Sequence, residues 1–365
     1  MKSNSEFIVS LHGASRNHSY GDVLLMAIYK TWIEAAGGRV IMDMANQYYG
    51  GYLEVEHSIP IPKAVKASDF VVYGGGGYFG EPRNPSLRWR VKFVLHHMMP
   101  AILARVTGKP YGFFGIGFGP LNNWFIKKIG MYAINGAKVI SVRDEESKAY
   151  LVKYGFRGKI SVNPDSALSL GDISSRFHFE KNNHRDKVKI ALHLPLDKDK
   201  DYDAIKPHLI ELLNDLKRSQ SSVEFNFLVD HGLDRNNYQY KFFERISQEI
   251  GVSWFIKEYI TPEDTLSFIS NCDVVVTTKL HVAITSYALG VKPVGISKHP
   301  KTKRFFKQVG LEYSHFDLFD LVNEDKREAI KSIIFNDDKI VVSNNIIKQA
   351  LNNKELLNEF LENGK

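Results

Sequence analysis

Thr277-Thr278-Lys279-Leu280-His281 sets two hydroxyls, a cation and a titratable imidazole side by side, groups that can hold an anion and hand it a proton. The preceding run, Asp273-Val-Val-Val276, reads as a short buried strand, and Ala283 to Leu289 reads as a helix closed by Gly290 in the C′ position. The start of that helix therefore lies beyond the carboxyl end of a strand, where open α/β sheets bind ligands and where free N–H groups and the helix dipole favour negative charge. After a second strand, Val291 to Ser297, a loop delivers Lys298, His299, Lys301, Lys303 and Arg304 to the same sheet edge. From Val274 to Leu311 there is no Asp or Glu. The outer lysines also fit a solvated basic loop; Lys279 and His281 are tied to the strand-to-helix turn.

The elements that must position these groups follow an alternating pattern. Strands are expected at Phe7–His12, Arg39–Asp43, Asp69–Tyr73, Tyr111–Ile116 and Val139–Val142, with helices near Asp22–Ala36, Leu87–Val106 and after Arg143. A polar stretch, Ser174 to Lys187, marks a linker, and the pattern resumes with strands at Val188–His193, Glu224–Val229, Asp273–Val276 and Val291–Ser297. Repeated strand, Gly-rich turn and helix imply parallel sheets covered on both faces. The expected architecture is α/β: two Rossmann-like domains, 1–175 and 186–340, facing across a cleft, with a C-terminal helix in 341–365 packing back.

The chain has 365 residues, 44% of them hydrophobic and 24% charged, as in an ordinary globular protein of two domains. A single cysteine, Cys272, rules out an internal disulfide and suits a reducing compartment; next to a strand it reads as a small core residue. The N-terminus runs directly into a strand, and no apolar run reaches membrane-spanning length, so a cytoplasmic setting is expected. The net charge of +7 is concentrated: between Pro82 and Arg143 there are ten Lys or Arg and no acid. Such a surface suits phosphorylated ligands or anionic lipid. Nucleic acid is disfavoured, because no helix-turn-helix, zinc-finger, RNP or KH pattern is present.

Other motifs carry two readings each. Gly75-x-Gly77-x-x-Gly80 formally matches a dinucleotide fingerprint, but the acid required about 20 residues on falls in the acid-free window, so nicotinamide binding is rejected. The glycines then mark a tight turn or close backbone approach to a ligand. Asp22 is either a helix N-cap or a carboxylate that orients or deprotonates a hydroxyl. Arg143 is either a bidentate clamp for carboxylate or phosphate at a sheet edge, or the partner of Asp144 or Glu145. His12, His193 and His231 each follow an apolar strand, a position more often structural. There is no HExxH or paired CxxC spacing for a metal, no GxSxG elbow and no Walker A sequence.

Together, Asn17-x-x-x-Gly21-Asp22, Gly74-Gly-Gly-Gly-Tyr-Phe79, Gly115-Ile-Gly-Phe-Gly-Pro-Leu121, Ser141-Val-Arg-Asp-Glu-Glu-Ser147, Asp165-Ser-Ala-Leu168 and the 277–306 segment resemble the polysaccharide pyruvyl transferase family. The resemblance implies a fold similar to two-domain GT-B glycosyltransferases and transfer of the enolpyruvyl unit of phosphoenolpyruvate onto a sugar as a ketal, with phosphoenolpyruvate as co-substrate and no metal or nucleotide cofactor. Where family members commonly carry Arg-Leu-His, this chain has Lys279-Leu280-His281; lysine keeps the charge but lacks the planar fork. On this reading Lys279, Arg143, Thr278, Lys301, Lys303 and Arg304 bind the donor, and His281 is the general acid, its proton favoured by the bound anion. Asp22 is a second catalytic candidate, and Asn17, Gly76, Gly77 and Tyr78 are acceptor-side candidates. The mixture of cations and aromatics in Arg88-Trp-Arg-Val-Lys92, Arg105, Lys109 and Asn123-Trp-Phe-Ile-Lys-Lys128 suggests peripheral docking on the inner membrane surface, where lipid-diphosphate-linked sugars are presented. The rival readings are a nucleotide-sugar glycosyltransferase of the same fold and a non-catalytic anion-binding protein. A glycosyltransferase should offer an acid for the donor ribose near the anion site, and none follows Asp273 until Glu312.

Overall fold

In the computed structural model, residues 7–14, 19–43, 51–82, 84–171, 187–196, 201–219, 223–230, 238–252 and 255–364 are described. The apolar β-branched runs form strands, and the amphipathic segments between them form the crossover helices. The first unit holds β1 (Phe7–His12), β2 (Gly38–Asp43), β3 (Glu56–Ile59), β4 (Phe70–Tyr73), β5 (Gly76–Phe79), β6 (Tyr111–Phe118), β7 (Val139–Val142) and β8 (Ser161–Val162). Every pairing among them is parallel, in the order β3-β2-β1-β4-β6-β7-β8, with β5 beside the far end of β6. The order reverses between β1 and β4, which are in register from Val9↔Phe70 to His12↔Tyr73. That reversal creates a switch point at the carboxyl edge.

The second unit repeats the plan with β9 (Val188–His193), β10 (Val223–Leu228), β11 (Phe255–Lys257), β12 (Val274–Thr277), β13 (Lys292–Ile296) and β14 (His315–Phe316). Its order is β11-β10-β9-β12-β13-β14, again all parallel, and the switch point falls between β9 and β12 at His193↔Thr277. Inward residues Ile190, Leu192, Phe225, Phe227, Val274, Val276 and Val294 pack on Leu209, Leu213, Phe242 and Ile246 of the covering helices. The short edge strands β3, β8, β11 and β14 lack a sequence pattern strong enough to announce them.

The units comprise residues 1–18, 22–169 and 345–365, and residues 19–21 and 170–344. The chain thus divides at 169/170 rather than at 175 or 186; residues 174–186 of the expected linker lie outside the described residues. The closing helix, Asn344–Asn363, belongs with the first unit. Phe360 packs 5.5 Å from Phe70 and 5.6 Å from Phe114. The fully buried Asn353 accepts from Ser141 Oγ (2.6 Å) and donates to the Pro164 carbonyl (3.1 Å) and Ser166 Oγ (3.3 Å). Asn353→Leu would leave those buried groups unsatisfied, at a cost of about 2–3 kcal/mol. The expected result is a lower urea midpoint at unchanged slope; an unchanged midpoint would show that the helix is held by apolar packing alone.

Two local departures concern the glycine run and the helix after it. Gly76-Gly-Tyr-Phe79 is not a turn but strand β5, which continues along β6 (Gly76↔Ile116, Phe79↔Phe118). Gly76 has φ +113, a conformation L side chains rarely adopt. Leu87–Val106 is helical throughout, but Val94–Met98 is a π turn in which Met99 N–H bonds the Val94 carbonyl. Pro100 supplies the physical cause: it has no N–H for the carbonyl four residues back, and its ring crowds that carbonyl.

Candidate active site

The second unit brings the residues expected to bind an anion to the carboxyl ends of two neighbouring parallel strands. β12 ends at Thr277, and the helix Leu280–Ala288 starts three residues on; Gly290, at φ +70, closes it. β13, paired with β12 through Thr277↔Gly295, leads into a second helix, Pro300–Gln308. The expected basic loop is therefore the front of a helix, with Lys301, Lys303 and Arg304 in its first two turns. Neither helix carries an acid in its first turn, and neither is capped by the side chain of its N-cap residue, Lys279 or His299. Two positive helix ends thus lie side by side with cations around them, an arrangement that favours an anion.

Below Lys279 lies a buried polar row. His193, the last residue of β9, is fully buried; its Nδ1 is 3.1 Å from Thr277 Oγ1, which itself accepts from the Lys279 N–H at 3.0 Å. His193 Nε2 lies 3.2 Å from Asp230 Oδ1. Lys279 Nζ is 3.8 Å from the other carboxylate oxygen, and Gln239 Nε2 donates to Asp230 Oδ1 at 2.8 Å. Burial by itself would raise the Asp230 pKa, but His193, Lys279 and Gln239 outweigh it and hold the carboxyl well below the usual carboxylate range. Asp230 therefore anchors the cation that the sequence singles out. The half-exposed Lys279 side chain still reaches outward from it.

His281 sits in the first turn of the Leu280–Ala288 helix and is partly exposed. It fills the space above Gly21, which belongs to the same unit: a Cβ built on Gly21 would lie 2.0 Å from His281 Nδ1. The neighbouring Tyr20 N–H donates to the Asp230 carbonyl at 2.9 Å. The Gly21 of the sequence motif is thus required by the imidazole. Thr278 is partly buried, its N–H bonded to the His193 carbonyl. Lys298 is occupied by Asp201 at 2.5 Å, and the charge of Lys303 reaches His315, whose pKa is lowered first by burial and then by that lysine.

Arg143 lies in the first unit, apart from the other donor candidates in the chain's division. It ends β7, is 4% exposed, and contacts Asp165 Oδ2 at 3.4 Å and Asp144 Oδ2 at 3.8 Å. Its guanidinium lies over Gly117, where a Cβ would come within 2.6 Å. The Asp144 contact anticipated from sequence is present, and Asp144 also caps the helix Glu145–Lys153 by accepting from Ser147 N at 2.7 Å. Asp22 is inside the first turn of Tyr20–Ala35, so it is not that helix's N-cap. Asn17 and His231 lie outside the described residues.

The acceptor-side candidates Gly76, Gly77 and Tyr78 are on β5 in the first unit. Tyr78 donates to the Gly74 carbonyl at 2.8 Å, and its pKa is pushed well above the usual phenol value by burial, then by the charges of Tyr29, Asp43 and Asp22. Its ring stacks on His97, 4.9 Å away. His97 in turn meets His12, and His12 meets Asp43. Sequence reasoning missed Asp43, His97, Asp230 and Gln239. Asp43 and Asp230 were signalled only by an acid at or just after the end of an apolar strand, and His97 and Gln239, in helical segments, had no such signal.

The polysaccharide pyruvyl transferase family model matches residues 20–300, more than half of the chain, and includes both helix starts' shared strand edge. The chain belongs to the polysaccharide pyruvyl transferase family. It is accordingly a transferase. No curated protein matches it in sequence. Among solved structures it is similar to a proposed UDP-N-acetylglucosamine 2-epimerase from Listeria monocytogenes, at 11% identity over 98% of both chains with a TM-score of 0.63. UDP-GlcNAc 2-epimerase from Methanocaldococcus jannaschii matches at 11% identity over 97% of this chain and 99% of that one, TM-score 0.61. The Neisseria meningitidis enzyme, solved bound to UDP-GlcNAc, gives 11% identity, 98% and 99% coverage, and TM-score 0.57. These likenesses establish the GT-B-like α/β fold of this pyruvyl transferase.

Proposed function

We propose that this pyruvyl transferase moves the enolpyruvyl group of phosphoenolpyruvate onto a sugar of a cell-surface polysaccharide precursor. The observation that carries the reading is the pair of helix starts at Leu280 and Pro300, neither with an acid in its first turn nor a side-chain cap from its N-cap residue, with Lys279 and His281 at the first of them. A three-carbon donor bearing phosphate and carboxylate needs cations and N–H groups in one place, and this edge supplies both. His281 donates a proton to the methylene carbon, and one sugar hydroxyl attacks the adjacent carbon. Cleavage of the carbon–oxygen bond to phosphate and attack by a second hydroxyl close the ketal. Of the two hydroxyl protons, one balances the methyl group and the other leaves on phosphate.

Incubation with phosphoenolpyruvate and a panel of lipid-linked or aryl-glycoside sugars tests this, through phosphate release and a pyruvyl mass increment on the sugar. Turnover of a nucleotide sugar, with no phosphate released from phosphoenolpyruvate, would replace the proposal by the glycosyltransferase reading.

The acceptor is proposed to be lipid-linked and reached from the cytoplasmic membrane surface. Among the described residues no helix is long and apolar enough to cross a membrane. Leu87 (75% exposed), Val91 (50%) and Leu95 (47%) recur every four residues, however, with exposed Arg88 and Lys92 between them. Trp124 (69%) and Phe125 (53%) are exposed beside Lys127 and Lys128. Trp89, by contrast, stacks inward on Phe93 at 4.9 Å. Exposed apolar side chains ringed by cations complement an anionic bilayer. Co-sedimentation with phosphatidylglycerol vesicles at physiological salt is expected, and Leu87→Asp with Val91→Asp should abolish it; sedimentation equal to that with neutral vesicles would remove the idea.

A further inference from the structure

Lys279 is held at two points by one buried row of side chains. Its backbone N–H donates to Thr277 Oγ1 at 3.0 Å, and its Nζ lies 3.8 Å from Asp230 Oδ2. Between those two points the row closes on itself, because Thr277 Oγ1 lies 3.1 Å from His193 Nδ1 and His193 Nε2 lies 3.2 Å from Asp230 Oδ1. Thr277 and His193 are fully buried and Asp230 is 3% exposed, whereas the Lys279 side chain is 47% exposed. Parallel pairing assembles the row: His193 ends β9 opposite Thr277, which ends β12, and Asp230 follows β10, the other neighbour of β9. Gln239, in the helix Tyr238–Ile250, donates to Asp230 Oδ1 at 2.8 Å and accepts the Asp230 N–H at 3.1 Å, so the carboxylate is itself fixed. All of these residues belong to the second unit.

We propose that Thr277 and His193 are positioning residues that hold Lys279 in place for the anion before it binds. A lysine has a long, flexible side chain and loses much of its rotamer freedom when the ammonium is held on a ligand. Here the row fixes the backbone end of the residue through Thr277 and draws in the ammonium end through Asp230. Part of that loss is therefore incurred on folding and not on binding. His193 is the spacer, setting the separation of Thr277 from Asp230 with a ring whose two nitrogens both face polar atoms. The Thr277 hydroxyl suits either tautomer of that ring, because it can donate or accept. The neighbouring turn shows how much of this the fold requires. Ser297, just beyond β13, accepts the N–H of the N-cap residue His299 at 3.0 Å, as Thr277 does for the N-cap residue Lys279. Among the described residues no imidazole lies within hydrogen-bond distance of the Ser297 hydroxyl. A hydroxyl turn alone is thus enough to start such a helix, and the imidazole and carboxylate beneath Thr277 serve the lysine.

The inference rests on anion binding at this strand edge, and two measurements separate its failure from the failure of that reading. With the full-length chain, calorimetry against phosphoenolpyruvate and against inorganic phosphate should show Thr277→Val weakening binding about tenfold, the order set by the freedom of one long side chain, and Thr277→Ser restoring it. In a Lys279→Met background the same Thr277→Val change should cost nothing further, because Thr277 acts through the lysine. Equal losses in both backgrounds, or Thr277→Ser binding as weakly as Thr277→Val, would overturn the proposal. Without any ligand, ammonium NMR of the lysine-labelled chain, with the Lys279 signal assigned by its loss in Lys279→Met, should show Lys279 Nζ more ordered than that of the exposed Lys92. The difference should vanish in Thr277→Val. A Lys279 ammonium as mobile as that of Lys92 in the wild type would overturn the proposal even if phosphoenolpyruvate bound. An ordered Lys279 released by Thr277→Val, in a chain that binds neither anion, would uphold the positioning and overturn the donor reading.

Discussion

Replacing His281 by asparagine is expected to lower turnover by about 10²–10⁴-fold, the range for loss of a general acid, and Gly21→Ala should reproduce most of that loss without touching His281. A methyl group at residue 21 would lie 2.0 Å from Nδ1 and 2.2 Å from Cγ of the imidazole, so the ring must leave its position. The ring is one end of the proposed proton transfer, and displacement by an ångström or more costs orders of magnitude in rate. Gly21 lies in the first turn of a helix, where alanine is the better helix former by up to about 1 kcal/mol. A steric effect on the acid and an effect on folding therefore predict opposite things about stability. The measurement is kcat and the thermal midpoint of both variants, with donor affinity by calorimetry. Full activity in Gly21→Ala would mean that His281 is not the acid or does not act from this position.

Asp230→Asn is expected to cost on the order of 3 kcal/mol of stability at neutral pH, as for breaking a buried pair from one side, and to weaken donor binding. Asparagine keeps the shape and a contact to Gln239 but removes the charge that faces His193 and Lys279. Because the folded-state pKa of Asp230 is depressed below its unfolded value, its contribution is fully present above the unfolded carboxylate pKa of about 4 and is lost as pH falls toward the folded value. The difference between wild type and variant should be constant above about pH 5 and close progressively below about pH 4. Urea titrations across that range measure it. A difference that widens on acidification would contradict the assignment of the charge to Asp230.

Much of the fold was legible from local pattern. The apolar runs Phe7–His12, Val188–His193 and Val274–Val276 are strands to within a residue, and Gly290 closes the helix it was expected to close. A parallel strand buried on both faces is nearly continuous in its hydrophobicity, and a helix must end where only glycine fits; both are properties of a few adjacent residues. The short edge strand β14 and the π turn at His97 were not legible: one is two residues long, and the other depends on how Pro100 disrupts a helix that periodicity alone makes continuous.

The site divides the same way. Lys279 and His281 could be picked out because strand end, helix start and charge fall within one segment of the chain, and the direction of a helix dipole follows from sequence order alone. Their partners could not. His12 finds Asp43 across 31 residues and His97 across 85, and the Gly21 backbone supports the His281 ring from the opposite end of the chain. The sequence by itself determined that this protein has two parallel α/β sheets and that a segment free of Asp and Glu from Val274 to Leu311 brings cations to one strand edge. Only the tertiary structure decided that Asp43 faces His12 and Asp230 faces His193, because parallel strand order places residues from distant crossovers at one sheet edge and no local pattern encodes that adjacency.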